Sequence, residues 1–433
     1  MLSGRGDTLM QMTRRGLLRV SAAIAAGTWL SACGGAPRRA GGITDLTFVS
    51  GDPITLVPSL ISDFEASHPT IRVSYAPSQS SGTVNTLAAI VGHGAADVFW
   101  DDNPSPYLQD ELCVDLSTYI DSTSIAAFSP TQLQAFRRGS GLYMLPQSNA
   151  PSAFLARTDA FSSVGLAVPT FGWTYNDLVD IWQSLSTPGT RVGGQLIWSP
   201  TSTFYLTGWG ASLVSSSNPL ECALGSTDAI TCGLWMWDRF WKDASATGLQ
   251  GQASWADITK GSLVMEVITS AQVSFVAKNY NFDWTLIPFP MWPQGSATLT
   301  TTPFYAIPVS CKQREAAWEL LQFVTSAQWE QTTLAQGVSP ARTSLWPKYL
   351  ATLRNDIPSI ASIPLEVFST PVEDGWALPP ETFTFQQAAL DILNPAWTNI
   401  FGPNHVTTVP KGFAKAASAV DATERQDASS STG

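Results

Sequence analysis

Leu46-Thr47-Phe48-Val49, Ile71-Arg72-Val73-Ser74-Tyr75 and Asp97-Val98-Phe99-Trp100 are three short runs, each fit for a strand, with helical stretches between them. One helix is expected over Pro58 to Ser67, where Leu60, Ile61 and Phe64 share a face, and another over Thr83 to Val91. Strand, helix, strand, helix, strand in that order predicts a parallel α/β sheet. Ligands of such sheets sit beyond the carboxyl ends of the strands. Here those ends are Ser50-Gly51-Asp52, Pro77-Ser78-Gln79 and Asp101-Asp102-Asn103, all short and polar.

Upstream of the first strand the chain has a different character. Thr13-Arg14-Arg15-Gly16-Leu17-Leu18-Arg19 precedes an apolar run from Val20 to Leu30, and Leu30-Ser31-Ala32-Cys33 closes it. Paired arginines, a short apolar core and small residues before a cleavage point are the parts of a twin-arginine export signal. The run is too short to span a bilayer, which takes about 20 residues. Leu-Ser-Ala-Cys resembles a bacterial lipobox, so residues 1–33 are expected to be a signal ending at a lipidated Cys33. Residues 34–42, with Gly34, Pro37 and Gly42, read as a flexible linker. The body would then be exported and lipid-anchored on the outer face of the cytoplasmic membrane.

A chain of 433 residues exceeds one ordinary core and suits two domains. Its net charge is −11, and the signal segment is itself basic, so the body is more acidic still. That balance argues against nucleic acid or anionic lipid as a partner. His68, His93 and His405 lie far from one another and from the cysteines, so no metal and no cofactor are expected. Cys222 and Cys232 bracket a polar, turn-like stretch, and in an exported protein a disulfide between them is expected. The 17 tryptophans fit either sugar-stacking surfaces or a core of large side chains.

Farther along, a set of segments resembles the extracellular solute-binding lipoproteins of ABC importers, in particular the carbohydrate-binding type related to maltose-binding protein. The segments are Ala96-Asp97-Val98-Phe99, Gly141-Leu142-Tyr143-Met144-Leu145-Pro146, Thr170 to Leu178 with Thr174 as a helix N-cap, and Lys260-Gly261-Ser262-Leu263-Val264-Met265. Ile287-Pro288-Phe289-Pro290, Tyr305-Ala306-Ile307-Pro308, Glu315 to Val324 and Gly337-Val338-Ser339-Pro340-Ala341-Arg342 continue the order. The resemblance implies a two-lobed α/β periplasmic-binding-protein fold with discontinuous lobes and a ligand cleft between them. Lobe one would comprise 43–147 plus 303–343, and lobe two 148–302 plus 344–430. Closure over a ligand would be a hinge motion of rigid lobes. The chain departs from its relatives at Thr302-Pro303-Phe304, where Gly-Gly is common, and at Phe154-Leu155-Ala156, which lacks their aromatic pair.

Candidate cleft residues follow from strand ends and lobe crossings. Asp101 and Asp102 face opposite ways on their strand, so one of them is expected to reach the cleft and the other to cap the turn, with Asp102 favoured for the ligand. A carboxylate accepting sugar hydroxyls forms charge-assisted bonds. Gln79 follows the second strand, and Asn149 sits at the first crossing. Tyr205 and Trp209 belong to Phe204-Tyr205-Leu206-Thr207-Gly208-Trp209-Gly210, where glycines on both sides would leave the indole open. Trp235, Trp237 and Trp241 fall on a helical pattern that suits a core. Ser270 and Gln272 end the strand begun at Leu263, Thr302 precedes the second crossing, and Glu373, Asp374 and Trp376 lie in an expected loop from Thr370 to Pro380.

Three readings of function arise. The resemblance implies a monomeric binder that delivers a mono- or oligosaccharide, with an amino sugar suited to the acidic candidates, to a permease and ATPase in the membrane. A glycerophosphodiester or other polar solute is the alternative, which would want Arg, Lys or a helix N-terminus in the cleft; Arg157, Arg342 and Arg354 are the basic residues nearest the expected cleft segments, and none falls on a candidate position. An exported glycan-acting enzyme is the second alternative. It would need two carboxylates about 5–10 Å apart, such as Asp102 with Glu373 or Asp374. The sequence carries no nucleophile elbow and no Ser/His arrangement to support hydrolysis.

Overall fold

The computed structural model describes residues 42–51, 56–77, 96–197, 204–218, 220–248 and 256–431. Among the described residues the expected N-terminal strands and first helix are present. Strand β1 (Thr44–Ser50) leads through helix α1 (Val57–Ser67) to β2 (Ile71–Pro77), and β3 (Val98–Asp101) follows. Leu60, Ile61 and Phe64 of α1 are buried together, as their spacing requires. Both β2 and β3 pair with β1 in parallel. The expected helix over Thr83 to Val91, Gln79, the signal segment and Cys33 lie outside the described residues.

Two strands from elsewhere in the chain complete this first sheet. They are β4 (Leu145–Pro146) and a strand from after residue 303, Phe304–Ala306, which lies between β3 and β4 and is antiparallel to both. The core beneath them draws on Leu46 to Leu145 and again on Phe304 to Ala341. The first lobe is therefore discontinuous.

The second sheet is built around β5 (Ala150–Arg157). All but the last of its residues are buried, because both faces are covered. Phe154 and Ala156 point into one core, while Ala153 and Leu155 point into another. Along one edge β5 pairs with an antiparallel strand, Leu263–Thr269. Trp284–Ile287 and Thr298–Thr301 share its other edge. In chain order after helix α2 (Tyr175–Leu185), the strands are β6 (Val192–Gln195), β7 (Ala246–Thr247), β8 (Leu263–Thr269), β9 (Trp284–Ile287), β10 (Thr298–Thr301) and β11 (Phe304–Ala306). Strand β12 (Ala377–Leu378) pairs with β10, and the path across the sheet is β12-β10-β5-β8-β6-β7. Helix α2 starts with the expected N-cap. Thr174 accepts from the Asp177 amide and Asp177 returns a bond to the Thr174 amide, a capping box.

Three expectations are corrected. Thr370 to Pro380 is not simply a loop, because Glu366–Glu373 is helical even with Pro371 inside it. Val367, Phe368 and Val372 bury themselves in the core under β5, and that burial outweighs the missing proline amide. Cys222 and Cys232 are separate buried thiols. Cys222 precedes a 3-10 turn, whereas Cys232 points from the helix Thr227–Trp237 into the core of lobe two, and burial pushes the Cys222 thiol up to about 12. Finally, Tyr205 and Phe204 belong to that same core and not to an open surface.

Close packing also explains a glycine. A Cβ on Gly194 of β6 would overlap the indole of the fully buried Trp182. Gly194→Ala is therefore expected to cost about 1–3 kcal/mol through overpacking, read as a lowered midpoint in urea with an unchanged slope. Reducing agent is expected to leave the thermal midpoint unchanged, and the folded protein should resist thiol alkylation at Cys222 and Cys232. A midpoint that drops on reduction would contradict the free thiols.

Candidate functional site

Strand direction fixes where the two lobes face one another. The carboxyl ends of β1, β2 and β3 lie at one end of the first sheet. Strand β11 starts and β4 ends there too, since Phe304 stands opposite both Asp101 and Pro146. In the second sheet β5 begins at the crossing, and its antiparallel partner β8 ends there, with Thr269 opposite Ser152. Strands β6 and β7 run parallel to β8, so their carboxyl ends fall on the same side. Both sheets thus present strand ends to the space beside the crossings, where such sheets bind ligands.

The crossings are tied side by side. The Gln147 amide donates to the Pro303 carbonyl at 2.8 Å, and Ala150 and Pro151 pair with Thr301 and Thr300. A third crossing follows helix α3 (Ala327–Leu334), and its Pro340 forms an antiparallel bridge with Ser148. Arg342 anchors it. The Arg342 amide donates to Glu330 Oε2 at 3.0 Å, its guanidinium donates twice to the Thr325 carbonyl at 2.9 and 2.8 Å, and it lies 5.0 Å above the Phe128 ring. Burial pushes the Glu330 carboxyl up to about 8, against the opposing pull of Arg342.

At the end of β3 the two aspartates divide their work. Asp101 is buried, and its Oδ1 accepts from the Asp102 and Asn103 amides at 2.7 and 3.1 Å while the Tyr107 hydroxyl donates to Oδ2 at 2.5 Å. Asp101 therefore holds the turn, which corrects its place among the ligand candidates. Asp102 is exposed, and partial burial, reinforced by the Asp101 charge, pushes its carboxyl up. Two residues earlier, within β3, stands Trp100, half-buried, with its indole against Gly51 just past the end of β1. A Cβ at Gly51 would come within 3.0 Å of that ring. Trp100 was missed in the sequence. The signal was its place at the carboxyl end of its strand.

Other candidates are spread between the joint and the body of lobe two. Thr302 is buried between the second crossing's strands, and Ser270 is buried at the end of β8, with its hydroxyl unpartnered. Asn149 is also buried at the joint, but its side-chain oxygen is taken by the Thr300 hydroxyl, so it pins two crossings together. Gln272, though exposed, closes a capping box, accepting from the Thr269 amide at 2.8 Å. The Tyr205 hydroxyl accepts from the Ile197 amide at 3.2 Å inside the core. Trp209 packs on that core beside Tyr175 and Trp235, because Trp292 fills the space beside Gly208. Glu373 and Asp374 are exposed at the end of their helix, and Trp376 packs edge-on against Phe171.

The family model for bacterial extracellular solute-binding proteins matches residues 52–331. The chain belongs to this family. Among solved structures, this solute-binding protein is similar to the cyclic α-maltosyl-1,6-maltose-binding protein of Arthrobacter globiformis at 14% identity, covering 89% of this chain and 100% of that one with a TM-score of 0.74. An ABC substrate-binding protein of Listeria monocytogenes in complex with cycloalternan gives 16% identity, 88% and 99% coverage and a TM-score of 0.71. UgpB of Mycobacterium tuberculosis in complex with glycerophosphocholine gives 17%, 89% and 100%, and 0.69. No curated protein matches the chain by sequence. These likenesses establish the two-lobed α/β fold with discontinuous lobes and a cleft between them. No helix among the described residues is long and apolar enough to cross a membrane.

Glu330 gives the third crossing a pH signature. Its folded value of about 8 lies above its ordinary 4.5, so its contribution is fully present below about pH 4.5 and is lost as pH rises through about 8. The thermal midpoint of Glu330→Gln, compared with the parent between pH 4.5 and 8, is expected to show a flatter decline with rising pH. Parallel curves for the two proteins would refute this.

Proposed function

We propose that this protein captures a carbohydrate in the cleft and delivers it to an ABC permease and its ATPase. One observation carries the reading. Trp100 offers a partly exposed indole near the end of β3, and Asp102, just past the strand, offers an exposed carboxylate at the same strand end. An indole takes the C–H face of a sugar ring, and a carboxylate accepts its hydroxyls in charge-assisted bonds. Gln79, Ser270, Thr302, Glu373, Asp374 and Trp376 remain candidates for further contacts. Family membership supports binding over turnover. The carbohydrate ligands named for the Arthrobacter and Listeria proteins support the ligand class.

The likeness to UgpB favours a second reading, a glycerophosphodiester. The arginines weigh against it. Arg157 is paired with Asp159 and the Ile258 carbonyl, Arg342 is held at the third crossing, and Arg354 is paired with Glu366. We further propose that the twin-arginine signal and Cys33 tether the protein, as a monomer, to the outer face of the cytoplasmic membrane.

Thermal unfolding of the body from Gly42 onward, against panels of sugars, amino sugars, oligosaccharides and glycerophosphodiesters, tests the ligand class. A ligand bound only by the folded form raises the midpoint. The expected outcome is a rise with one carbohydrate class that falls away in Trp100→Ala and in Asp102→Asn, each weakening affinity at least tenfold by calorimetry. A rise with glycerophosphodiesters alone would favour the second reading, and conversion of an added glycan would favour an enzyme.

A further inference from the structure

The short helix Pro130–Gln134 belongs to lobe one, yet its segment touches the first crossing, the third crossing and a strand of lobe two. Gln132 is fully buried, and its Nε2 donates to the Ser148 carbonyl in the first crossing at 2.8 Å. Ala127 accepts from the Thr343 amide and hydroxyl in the third crossing, both at 3.1 Å, and Phe128 bridges Arg342. Thr131 reaches past the crossings altogether. Its hydroxyl donates to the Ala377 carbonyl of β12 at 3.1 Å, while the Ser129 hydroxyl lies 2.8 Å from it.

Residues inside a crossing keep their neighbours when the lobes rotate, because the crossing is the axis. A bond from the body of one lobe to a strand of the other does not share that protection. It holds in one lobe arrangement and is stretched or broken in another. Two buried polar atoms lie at the same joint: Gln132 Oε1 and Ser339 Oγ, next to the Ser148–Pro340 bridge, have no hydrogen-bond partner in this arrangement. Buried groups of that kind ordinarily find protein or water partners, and both sit where the first and third crossings meet.

We propose that residues 127–134 form a strut across the hinge, with Thr131 and Gln132 as positioning residues that set the balance between two lobe arrangements. The Thr131 to Ala377 bond favours the arrangement described here, and Gln132 keeps Thr131 in place by gripping Ser148. A ligand that prefers either arrangement then binds with an affinity scaled by that balance. The proposal rests on the two-lobed fold and not on the carbohydrate reading.

The test needs no ligand. Ser62→Cys in α1 and Ser418→Cys in the helix Val409–Ser431 are exposed positions, one on each lobe, and the four native cysteines in the body are buried, so a dye pair can report the interlobe distance. Thr131→Val keeps the shape of the side chain and removes its donor. It is expected to lower the population at the present distance about three- to tenfold relative to the other arrangement, the factor that the net worth of one hydrogen bond corresponds to. Thr131→Ser is expected to restore the parent distribution. Gln132→Met is expected to shift it in the same sense as Thr131→Val, and it decides the matter if Thr131→Val fails to fold. A distribution unchanged in both variants, with or without a lowered thermal midpoint, would show a merely structural role and overturn the proposal.

Discussion

The pairing of the first two crossings governs the rest of the molecule. Residues 146–151 run antiparallel to 300–304, joined by backbone bonds and by the Asn149–Thr300 contact. Two antiparallel ribbons side by side leave the lobes a rotation about one line. The same pairing aligns the carboxyl ends of the strands in both sheets, because each sheet's direction is set by a strand that enters or leaves through the crossing. Cleft position, hinge axis and fold topology are thus one constraint seen at three scales.

That constraint also explains why buried polar groups collect where they do. A hydrophobic joint of this size would pack in many ways, whereas hydrogen bonds demand particular partners. Asn149, Gln132 and Glu330 are buried there, and each bonds to a segment of a crossing. Their burial carries a desolvation cost, visible in the raised Glu330 carboxyl, and that cost is met by specific geometry.

Much of the fold was legible in the chain because period and burial agree there. The apolar runs of β1, β2 and β3 and the face of α1 fall where spacing predicts, and Thr174 caps α2 as its side chain allows. The strand ends pointed to the Asp101–Asp102 turn and to Ser270. What was not legible depends on partners distant in sequence. Nothing near Tyr205 announces that Ile197 will claim its hydroxyl, and nothing near Gly208 announces Trp292. Gln272 was assigned by its place at the end of a strand, but the local pull of a capping box decided its direction. Pro371 suggested a loop, and the apolar spacing around it prevailed. Cys222 and Cys232 are close in sequence, but one precedes a turn and the other lies on a helix.

The first sheet has a consequence for how the chain becomes a folded molecule. Strand β11 is the wall between β3 and β4, and it is made only after the whole of β5 to β10. The hydrophobic surface of β1, β3 and α1 must wait for Phe304, Tyr305 and the helix Arg314–Val324, which carries Trp318 and Leu321 into the same core. Contacts of that sequence separation are slow to form and leave apolar strand edges bare in the meantime. The sheet opened by the first strands to be synthesised is therefore closed only after most strands of the second sheet have been made, and the second lobe in turn waits for the helices that run to Ser431.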